Sequence, residues 1–337
     1  MLKQIKDLCA IPGISGREDK VRTYIEGWLA ANDKAGDLDM RTDPLGSLIV
    51  KKGDNPGAIA LFAHMDEVGF LITHVTGEGL LGFSPIGIDP RVIFGRRVLV
   101  GNKLLPGAIG GTAWHHLDAK EREAKLDVKQ MAIDIGACDK ADALNYVRPG
   151  DMAVFDAPFA ELAGGAITSR ALEDRVGCAI LCRLLTETDL SFTAVFTVQE
   201  ESGLIGAAAS AAAVGAPMAI VLETTTAGDL PDVTEDKKVC RVGDGPVVSF
   251  ADRGAIYHRD MVDKALAVAR EAEIPAQLKE GIFGGNDSRE VQKAGGGART
   301  LAISVPCRYL HSASCLANMA DIENTEKLVR ALLPALS

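Results

Sequence analysis

The amino-acid sequence predicts an α/β fold: a doubly wound, mostly parallel sheet with helices on both faces, plus an inserted small, β-rich and barrel-like domain. Apolar segments with the composition of buried strands alternate with segments of helical periodicity, which is typical of a parallel sheet with helical connections. Between residues 70 and 165, short apolar segments separated by glycines replace this alternation. We therefore expect residues 1–69 and 166–337 to form the main domain and residues 70–165 the insert.

The composition is that of an ordinary globular protein. The chain has 337 residues, of which 47% are hydrophobic and 24% charged, enough to bury a large core. Its formal net charge of −10 argues against a nucleic-acid or anionic-membrane partner. The seven cysteines lack a C-x-x-C pair, and no apolar run reaches the ~18 residues needed to cross a bilayer. Both features favour a cytoplasmic location.

Before the insert, the sequence predicts one helix and two strands, over residues 15–32, 47–51 and 58–63. The helix begins with a capping-box pattern, in which Ser15 is followed three residues later by Glu18. The second strand is apolar throughout and leads directly into His64 and Asp66.

After the insert, strands and helices alternate again. Helices are predicted over residues 171–188, 261–273 and 324–333, and strands over residues 194–198, 217–222 and 301–305. An alanine-rich segment after Leu204 predicts one further helix. Right-handed connections between such elements place the carboxyl ends of the parallel strands along one rim of the sheet.

Acidic and histidine residues lie at the ends of these strands or at the start of a helix. They are His64, Asp66, Glu173, Asp174, Glu200, Glu201, Glu223 and His311. The rim at the carboxyl ends of the strands is where open α/β sheets bind ligands. Each residue alone also has a structural explanation, since acids in the first turn of a helix interact favourably with the helix dipole.

Two histidines with several carboxylates form the ligand set of a pair of divalent ions. Each ion takes one histidine and one carboxylate, and a further carboxylate bridges the two. Asp66, two residues after His64, is placed to accept the second ring N–H of that imidazole. Of Glu200 and Glu201, one can bind a metal while the other acts as general base. Zn suits such a site best, and Co or Mn are alternatives.

Seven segments, spread over the whole chain, resemble the motifs of the dinuclear aminopeptidases of peptidase family forty-two in clan MH. This family includes the TET, glutamyl and deblocking aminopeptidases and members named endoglucanase M. The segments are PGISGRE (12–18), AHMDEVGFLI (63–72), ALEDRVG (171–177), TVQEESGLIGA (197–207), ETTTAGDLP (223–231), GGNDS (284–288) and VPCRYLHS (305–312).

The resemblance implies a role for each of the acidic and histidine residues at the strand ends. It implies that His64 and Glu223 hold one metal, that Glu201 and His311 hold the other, and that Glu200 is the general base. It also implies that Asp66 orients His64. The insert is then a dimerisation domain attached to a catalytic metallopeptidase domain, in a homo-oligomer that ranges from dimer to dodecamer.

The chain departs from the family pattern at two positions. The family usually has Asp where this chain has Glu173, the position of the bridging acid, and Asp where it has Glu223. Glu is one methylene longer than Asp, and metal–ligand distances vary by only a few tenths of an ångström. Three outcomes are open: the backbone has adjusted, the spacing or occupancy of the metals differs, or Asp174 bridges the metals instead.

We therefore predict hydrolysis of the N-terminal residue of a peptide substrate by a water held between two divalent metal ions, with Glu200 as general base. One alternative is a metal-poor peptide-binding or assembly homologue, which the two altered acids favour. A glycoside hydrolase is a further alternative, but the aromatic content of 5% and the histidine ligands argue against it.

Overall fold

The computed structural model describes residues 1–123 and 127–336 of the chain. The α-helices in these residues are α1 (Leu2–Ala10), α2 (Asp19–Asn32), α3 (Ala119–Glu123), α4 (Lys140–Leu144), α5 (Leu172–Glu187), α6 (Ile205–Val214), α7 (Arg259–Glu271), α8 (Ser288–Val291) and α9 (Met319–Leu336). None of these helices combines the length and the apolar character that a membrane span requires.

The strands form two sheets. The first ten strands are β1 (Asp39–Thr42), β2 (Leu48–Lys52), β3 (Ile59–His64), β4 (Gly69–Val75), β5 (Leu81–Ile86), β6 (Arg97–Val100), β7 (Leu105–Gly111), β8 (Met131–Asp134), β9 (Met152–Phe155) and β10 (Ala160–Glu161). The others are β11 (Ala166–Ser169), β12 (Phe192–Thr197), β13 (Met218–Thr226), β14 (Val247–Val248), β15 (Gln277–Leu278), β16 (Arg299–Arg308) and β17 (Cys315–Asn318).

The larger sheet is mixed, with a parallel centre. Its strand order is β1-β2-β12-β3-β13-β16-β17-β11-β10. In addition, β14 pairs with β16, and β15 pairs with β14. Strands β12, β3, β13 and β16 are mutually parallel, whereas β1, β2, β17, β11 and β10 pair antiparallel on the two sides. The predicted fold class is confirmed. The sequence pattern identified the parallel centre, whose strands are buried on both faces, but of the antiparallel flanks it identified only β2.

Helices cover both faces of this sheet. One face packs on α1, α2, α5, α7 and α9 through a large apolar cluster that includes Leu61, Phe196 and Leu222. The opposite face packs on α6 and α8 through a smaller cluster that includes Phe62 and Val221. Because successive residues of a strand point to opposite faces, these neighbouring side chains serve different clusters. Packing on both faces therefore fixes the position of the central strands.

The second sheet is a closed antiparallel barrel of β4-β5-β8-β7-β6-β9. Phe70 lies at its centre, edge-on to Phe83 at 5.3 Å and to Phe155 at 5.1 Å between ring centroids. The barrel strands extend from Gly69 to Phe155, so they begin one residue before the predicted insert of residues 70–165 and end inside it; residues 124–126 lie outside the described residues. The exact limits of that insert stay a prediction.

The capping-box prediction at the first long helix is wrong. The helix starts at Asp19, and the side chain of Ser15 does not cap it. The Ser15 hydroxyl instead donates to Asp66 Oδ2 at 2.6 Å, and Glu18 Oε1 accepts the N–H groups of Gly16 and Gln199. Tertiary contacts have therefore taken both side chains away from the local pattern.

Candidate metal centre

The register of the parallel strands brings residues of distant sequence to one rim. His64 lies opposite Thr197 in the β3–β12 pair, and Glu201 follows that strand by four residues. On the other side of β3, Val221 lies opposite Phe62, so Glu223 reaches the same height as His64. Parallel strands with this register end together, and their last side chains meet.

The side chains at the rim form three groupings of candidate metal ligands. One consists of His64, Glu200 and Glu201, and the other two have one residue in common. His64, Glu173 and Glu223 make the first of these two groupings, and Glu173, Glu201 and His311 make the second. Within each, one ligand atom per residue lies within 4.8 Å of the others. Glu173 belongs to both groupings. The structure thus brings together five of the predicted metal-site residues and places Glu173 between the two histidines.

The distances within the two groupings are close to those of direct contact. His311 Nε2 lies 3.1 Å from Glu173 Oε2 and 3.4 Å from Glu201 Oε1. His64 Nε2 lies 3.7 Å from Glu223 Oε2. The longer Glu side chains at positions 173 and 223 therefore still converge on the histidines.

His64 is held with one ring nitrogen directed at the candidate site. Its Nδ1 lies 3.0 Å from the main-chain oxygen of Asp66, which can only accept a hydrogen bond, so Nδ1 carries the proton. The Asp66 carboxylate lies 3.4 Å from the same nitrogen. In the neutral ring, Nε2 is then the basic nitrogen, which is the form that binds a metal. Asp66 contacts the His64 ring through both its backbone and its side chain.

Asp66 also fixes the turn that carries Glu200 and Glu201. Its two carboxylate oxygens accept the main-chain N–H groups of Glu200 at 3.0 Å and Glu201 at 3.1 Å. The turn is conformationally unusual, because Gln199 has a φ of 57°. A left-handed conformation costs a non-glycine residue about 1–2 kcal/mol. The contacts of Asp66 with both amides offset that cost.

The electrostatics of the rim show an excess of buried negative charge. Burial raises the pKa of Glu201 to about 8 and raises the pKa values of Glu200 and Glu223 well above their ordinary range. Burial lowers the pKa of His311, but the carboxylates of Glu173, Glu201 and Glu200 together outweigh it and the net pKa rises to about 10. Buried carboxylates in such a group stay ionised only if a cation compensates them.

The residues present fit divalent metal ions. Several buried polar atoms at the rim have no hydrogen-bond partner among the described residues, although such atoms are normally paired. They are His64 Nε2, Glu173 Oε2, Asp174 Oδ2, Glu201 Oε1, Glu223 Oε1 and Asp287 Oδ1. Imidazole nitrogen and carboxylate oxygen are the donors that Zn, Co and Mn bind.

Asp174 lies apart from both groupings. It is fully buried, its Oδ1 accepts the N–H of Gly177 at 3.0 Å, and burial raises its pKa well above the ordinary range. Among the two acids at the start of α5, the geometry favours Glu173 as the residue between the two histidines. Glu67, which follows the same strand as Asp66, pairs with Arg170 instead of facing the site.

One buried acid near the rim had no predicted role. Asp287, within the GGNDS segment, is fully buried and accepts the hydroxyl of Thr197 at 2.6 Å. Burial raises its pKa to about 6. The motif contains this residue, but only the tertiary structure shows that the charge of His64 acts on Asp287 and that the charge of Asp287 acts on Glu200.

A cavity of about 320 Å³ opens onto the rim. Its wall includes Glu173, Glu200, Glu201, Glu223 and His311, and on another side Lys279, Phe283, Gly284, Gly285 and Asn286. The loop at residues 284–288 contributes Gly284, Gly285 and Asn286 to this wall. The loop at residues 251–256 contacts it, since the Arg253 N–H donates to the Gly284 carbonyl.

A family model described as M42 glutamyl aminopeptidase matches residues 46–328. The chain belongs to this family. This confirms the resemblance inferred from the seven sequence segments. Membership in the M42 family supports an aminopeptidase, and hence a hydrolase, function for the chain.

Relatives and solved structures match along almost the whole chain. The lysyl aminopeptidase of Pyrococcus furiosus is 30% identical over 98% of this chain and 96% of its own length. The TET aminopeptidase of a marine sediment archaeon (Thaumarchaeota) superimposes with a TM-score of 0.93, at 30% identity, over 98% of this chain and 95% of the other. The TET1 peptidase of Pyrococcus horikoshii, which can assemble into a tetrahedron or a large octahedral shell, gives a TM-score of 0.86 at 35% identity, over 98% of both chains.

Proposed function

We propose that this protein is a dinuclear metallo-aminopeptidase that removes the N-terminal residue of peptides. The observation that carries the proposal is that the two ligand groupings, each with its own histidine, share Glu173. A shared carboxylate is what holds two divalent ions a few ångströms apart. Family membership supports the aminopeptidase part of the proposal independently of the geometry.

In this proposal His64 and Glu223 hold one ion, Glu201 and His311 hold the other, and Glu173 bridges them. Zn suits this mixture of imidazole and carboxylate donors best, with Co or Mn as alternatives. When bound, such ions act as Lewis acids that polarise the scissile carbonyl and make water more acidic. Asp66 keeps His64 in the tautomer whose Nε2 is the basic nitrogen.

Glu200 is the proposed general base. Its side chain lines the cavity and lies in one grouping with His64 and Glu201, but among the described residues it forms no ion pair with either histidine. A carboxylate in this position accepts a proton from the attacking water and returns one to the leaving amine. Burial keeps its pKa above the ordinary range, which strengthens it as a base once neighbouring cations ionise it.

The protein is also proposed to form a homo-oligomer, between a dimer and a dodecamer. The TET1 peptidase of Pyrococcus horikoshii assembles into larger shells, and this chain covers 98% of that chain. The barrel within residues 70–165 is the proposed dimerisation domain. Light scattering of the purified protein gives the mass of the assembly.

Metal analysis followed by activity measurements tests the proposed reaction. Purified protein should contain up to two divalent ions per chain, and it should release chromophore from aminoacyl p-nitroanilides until a chelator removes the metal. Re-addition of Zn, Co or Mn should restore the rate. Metal-loaded protein that releases no residue from any peptide would support the peptide-binding alternative, and chelator-resistant release of sugar would support the glycoside hydrolase.

A further inference from the structure

A buried lysine lines the otherwise acidic cavity. Lys279 is 6% exposed, and among the described residues of the cavity wall it is the only lysine or arginine. Four glutamates, Glu173, Glu200, Glu201 and Glu223, line the same cavity. The negative charge of the rim does not require this ammonium group, because we propose that metal ions bind there.

The ammonium of Lys279 forms no ion pair within the described residues. Its Nζ donates to the main-chain oxygen of Phe283 at 2.9 Å, and no carboxylate of the described residues forms an ion pair with it. The nearby Asp252 is engaged elsewhere, because its carboxylate accepts the N–H groups of Gly254 and Ala255 and the hydroxyl of Tyr257. Two of the three ammonium N–H donors of Lys279 therefore remain for other acceptors.

The cost of burying this ammonium is only partly offset, because the charges of Asp252 and Glu223 act on it but neither carboxylate forms an ion pair with it. Burial is the main cause that lowers the pKa of Lys279, which reflects the cost of removing the ammonium from water. An anion that enters the cavity would offset this cost. Such a cation therefore fits a ligand group that carries negative charge and arrives from solvent.

The distance from the rim suits a substrate side chain. Lys279 directly follows β15, and the strands β14 and β16 separate β15 from β13, which carries Glu223. Three strand spacings put these two backbones roughly 14 Å apart. The long side chain of Lys279 shortens the gap, and the cavity fills the remainder. A peptide held by its N-terminal residue at the rim can direct that residue's side chain at Lys279.

We propose that Lys279 is the specificity-determining residue of the cavity and that it selects peptides whose N-terminal residue is acidic, glutamate before aspartate. This inference rests on the proposed aminopeptidase function. The relatives leave the preference open, because the Pyrococcus furiosus relative is a lysyl and the Lactococcus lactis relative a glutamyl aminopeptidase. The residues of this chain's own cavity favour the acidic class.

Steady-state kinetics with glutamyl, glutaminyl and lysyl p-nitroanilides test this proposal. Glutamate and glutamine have the same shape, so the ratio of their kcat/KM values isolates the charge. The wild-type protein should prefer glutamate roughly 10- to 100-fold, as expected for a hydrogen bond between buried charged groups. The K279Q variant should bring this ratio close to 1, K279E should favour the lysyl substrate, and K279R should retain the preference for glutamate.

A purely structural role of Lys279 predicts a different result. If Lys279 only holds the Phe283 carbonyl, K279Q lowers kcat/KM for the glutamyl and glutaminyl substrates by the same factor, and the ratio does not change. That outcome, or a wild-type protein that hydrolyses peptides without preferring glutamate, overturns the inference and leaves the proposed function intact. A metal-loaded wild-type protein that hydrolyses none of the substrates contradicts the proposed function itself.

Two further measurements complete the test. The K264Q variant removes the same charge from an exposed position on α7 and should leave the substrate ratio unchanged. Isothermal titration with L-glutamate and L-glutamine gives a readout that does not depend on hydrolysis. Wild-type protein should bind glutamate more tightly than glutamine, and K279Q should bind both equally. Equal binding to the wild type would contradict the proposal.

Discussion

The rim of the large sheet and the interior of the barrel are built on opposite principles. The rim concentrates buried titratable side chains, six of which have a polar atom without a hydrogen-bond partner among the described residues. The described part of the barrel has no such atom, and its core consists of apolar side chains around Phe70.

The barrel core therefore contributes mainly to stability, and the rim contributes mainly to ligand binding. An apolar core lowers the free energy of the folded chain through burial alone, and any side chain of suitable size fulfils that role. Buried acids with unpaired oxygens raise that free energy unless a ligand satisfies them. Residues that remain unfavourable without a ligand mark the part of the molecule that binds one. Substitutions in the two regions should therefore affect different measurements.

The largest expected effect is that of E200Q at the rim. Gln cannot accept a proton from water, so kcat should fall by roughly 10²- to 10⁴-fold. Metal content, measured by mass spectrometry, should stay the same, because Glu200 is not one of the proposed ligands. The E161Q variant, which removes an exposed acid from β10, should keep full activity. A fully active E200Q enzyme would refute the assignment of the general base.

The largest effect in the barrel is expected for F70A. Phe70 is fully buried between two aromatic rings, and truncation of a buried Phe lowers the free energy of unfolding by about 3–5 kcal/mol. Chemical denaturation measures this change. Metal content per folded chain should remain at the wild-type value. F94A, at a side chain that is 47% exposed, should cost much less. Loss of metal in folded F70A would show that the two regions are coupled.

A smaller effect is expected for D66N. The carboxylate of Asp66 accepts three donors, the N–H groups of Glu200 and Glu201 and the hydroxyl of Ser15. Asn offers one acceptor oxygen and directs an NH₂ group at the remaining donors, which should displace the Glu200–Glu201 turn. Metal affinity, measured by chelator competition, should fall by roughly 10- to 100-fold.

The D43N variant is the matched control for D66N. Asp43 also accepts several main-chain N–H groups, those of Leu45, Gly46 and Ser47, but it is not among the candidate ligands. D43N should reduce stability without weakening metal binding. If both variants lose metal affinity equally, Asp66 acts through general stability and does not position the site.

The smallest effect is a reduction of the pH dependence of stability in E18Q. Burial and the charge of Asp66 raise the pKa of Glu18 from 4.5 to about 7. Because its folded pKa lies above its unfolded pKa, Glu18 contributes stability at low pH that is lost as the pH rises from about 4.5 through about 7. E18Q keeps the acceptor oxygen but has no proton to lose. Between pH 5 and pH 8, the free energy of unfolding of metal-free E18Q should therefore rise relative to that of the wild type by on the order of 1 kcal/mol.

Urea denaturation of both metal-free proteins at the two pH values measures this difference. E280Q, at an exposed position, should retain the pH dependence of the wild type. An identical pH dependence in E18Q and the wild type would show that Glu18 is not the group responsible.

Much of the architecture could be predicted from the sequence, because the buried strands have an unambiguous apolar pattern. The predicted strand over residues 58–63 corresponds to β3 at Ile59–His64, and the predicted helix over residues 171–188 corresponds to α5 at Leu172–Glu187. Of the antiparallel flanks, the sequence predicted only β2, as the strand over residues 47–51. Short strands such as β10 and β15 have two residues each and depend on their neighbours for pairing.

The capping box failed for a related reason. Ser15 and Glu18 have the spacing of a local motif, but each of them forms a hydrogen bond with a residue more than fifty positions away. A local pattern predicts local contacts only where no distant partner competes for the same side chain. At a ligand-binding rim such partners are frequent, because several strands end there.

The sequence by itself determined which residue types stand at the ends of the central strands, since strand composition and the acids and histidines that follow are local properties. It also identified the family through its seven segments. The position of Glu173 between the two histidines, the separate position of Asp174 and the burial of Asp287 and Lys279 became apparent only in the tertiary structure. These features depend on the order and register of strands that lie more than eighty residues apart, and no local pattern contains that information.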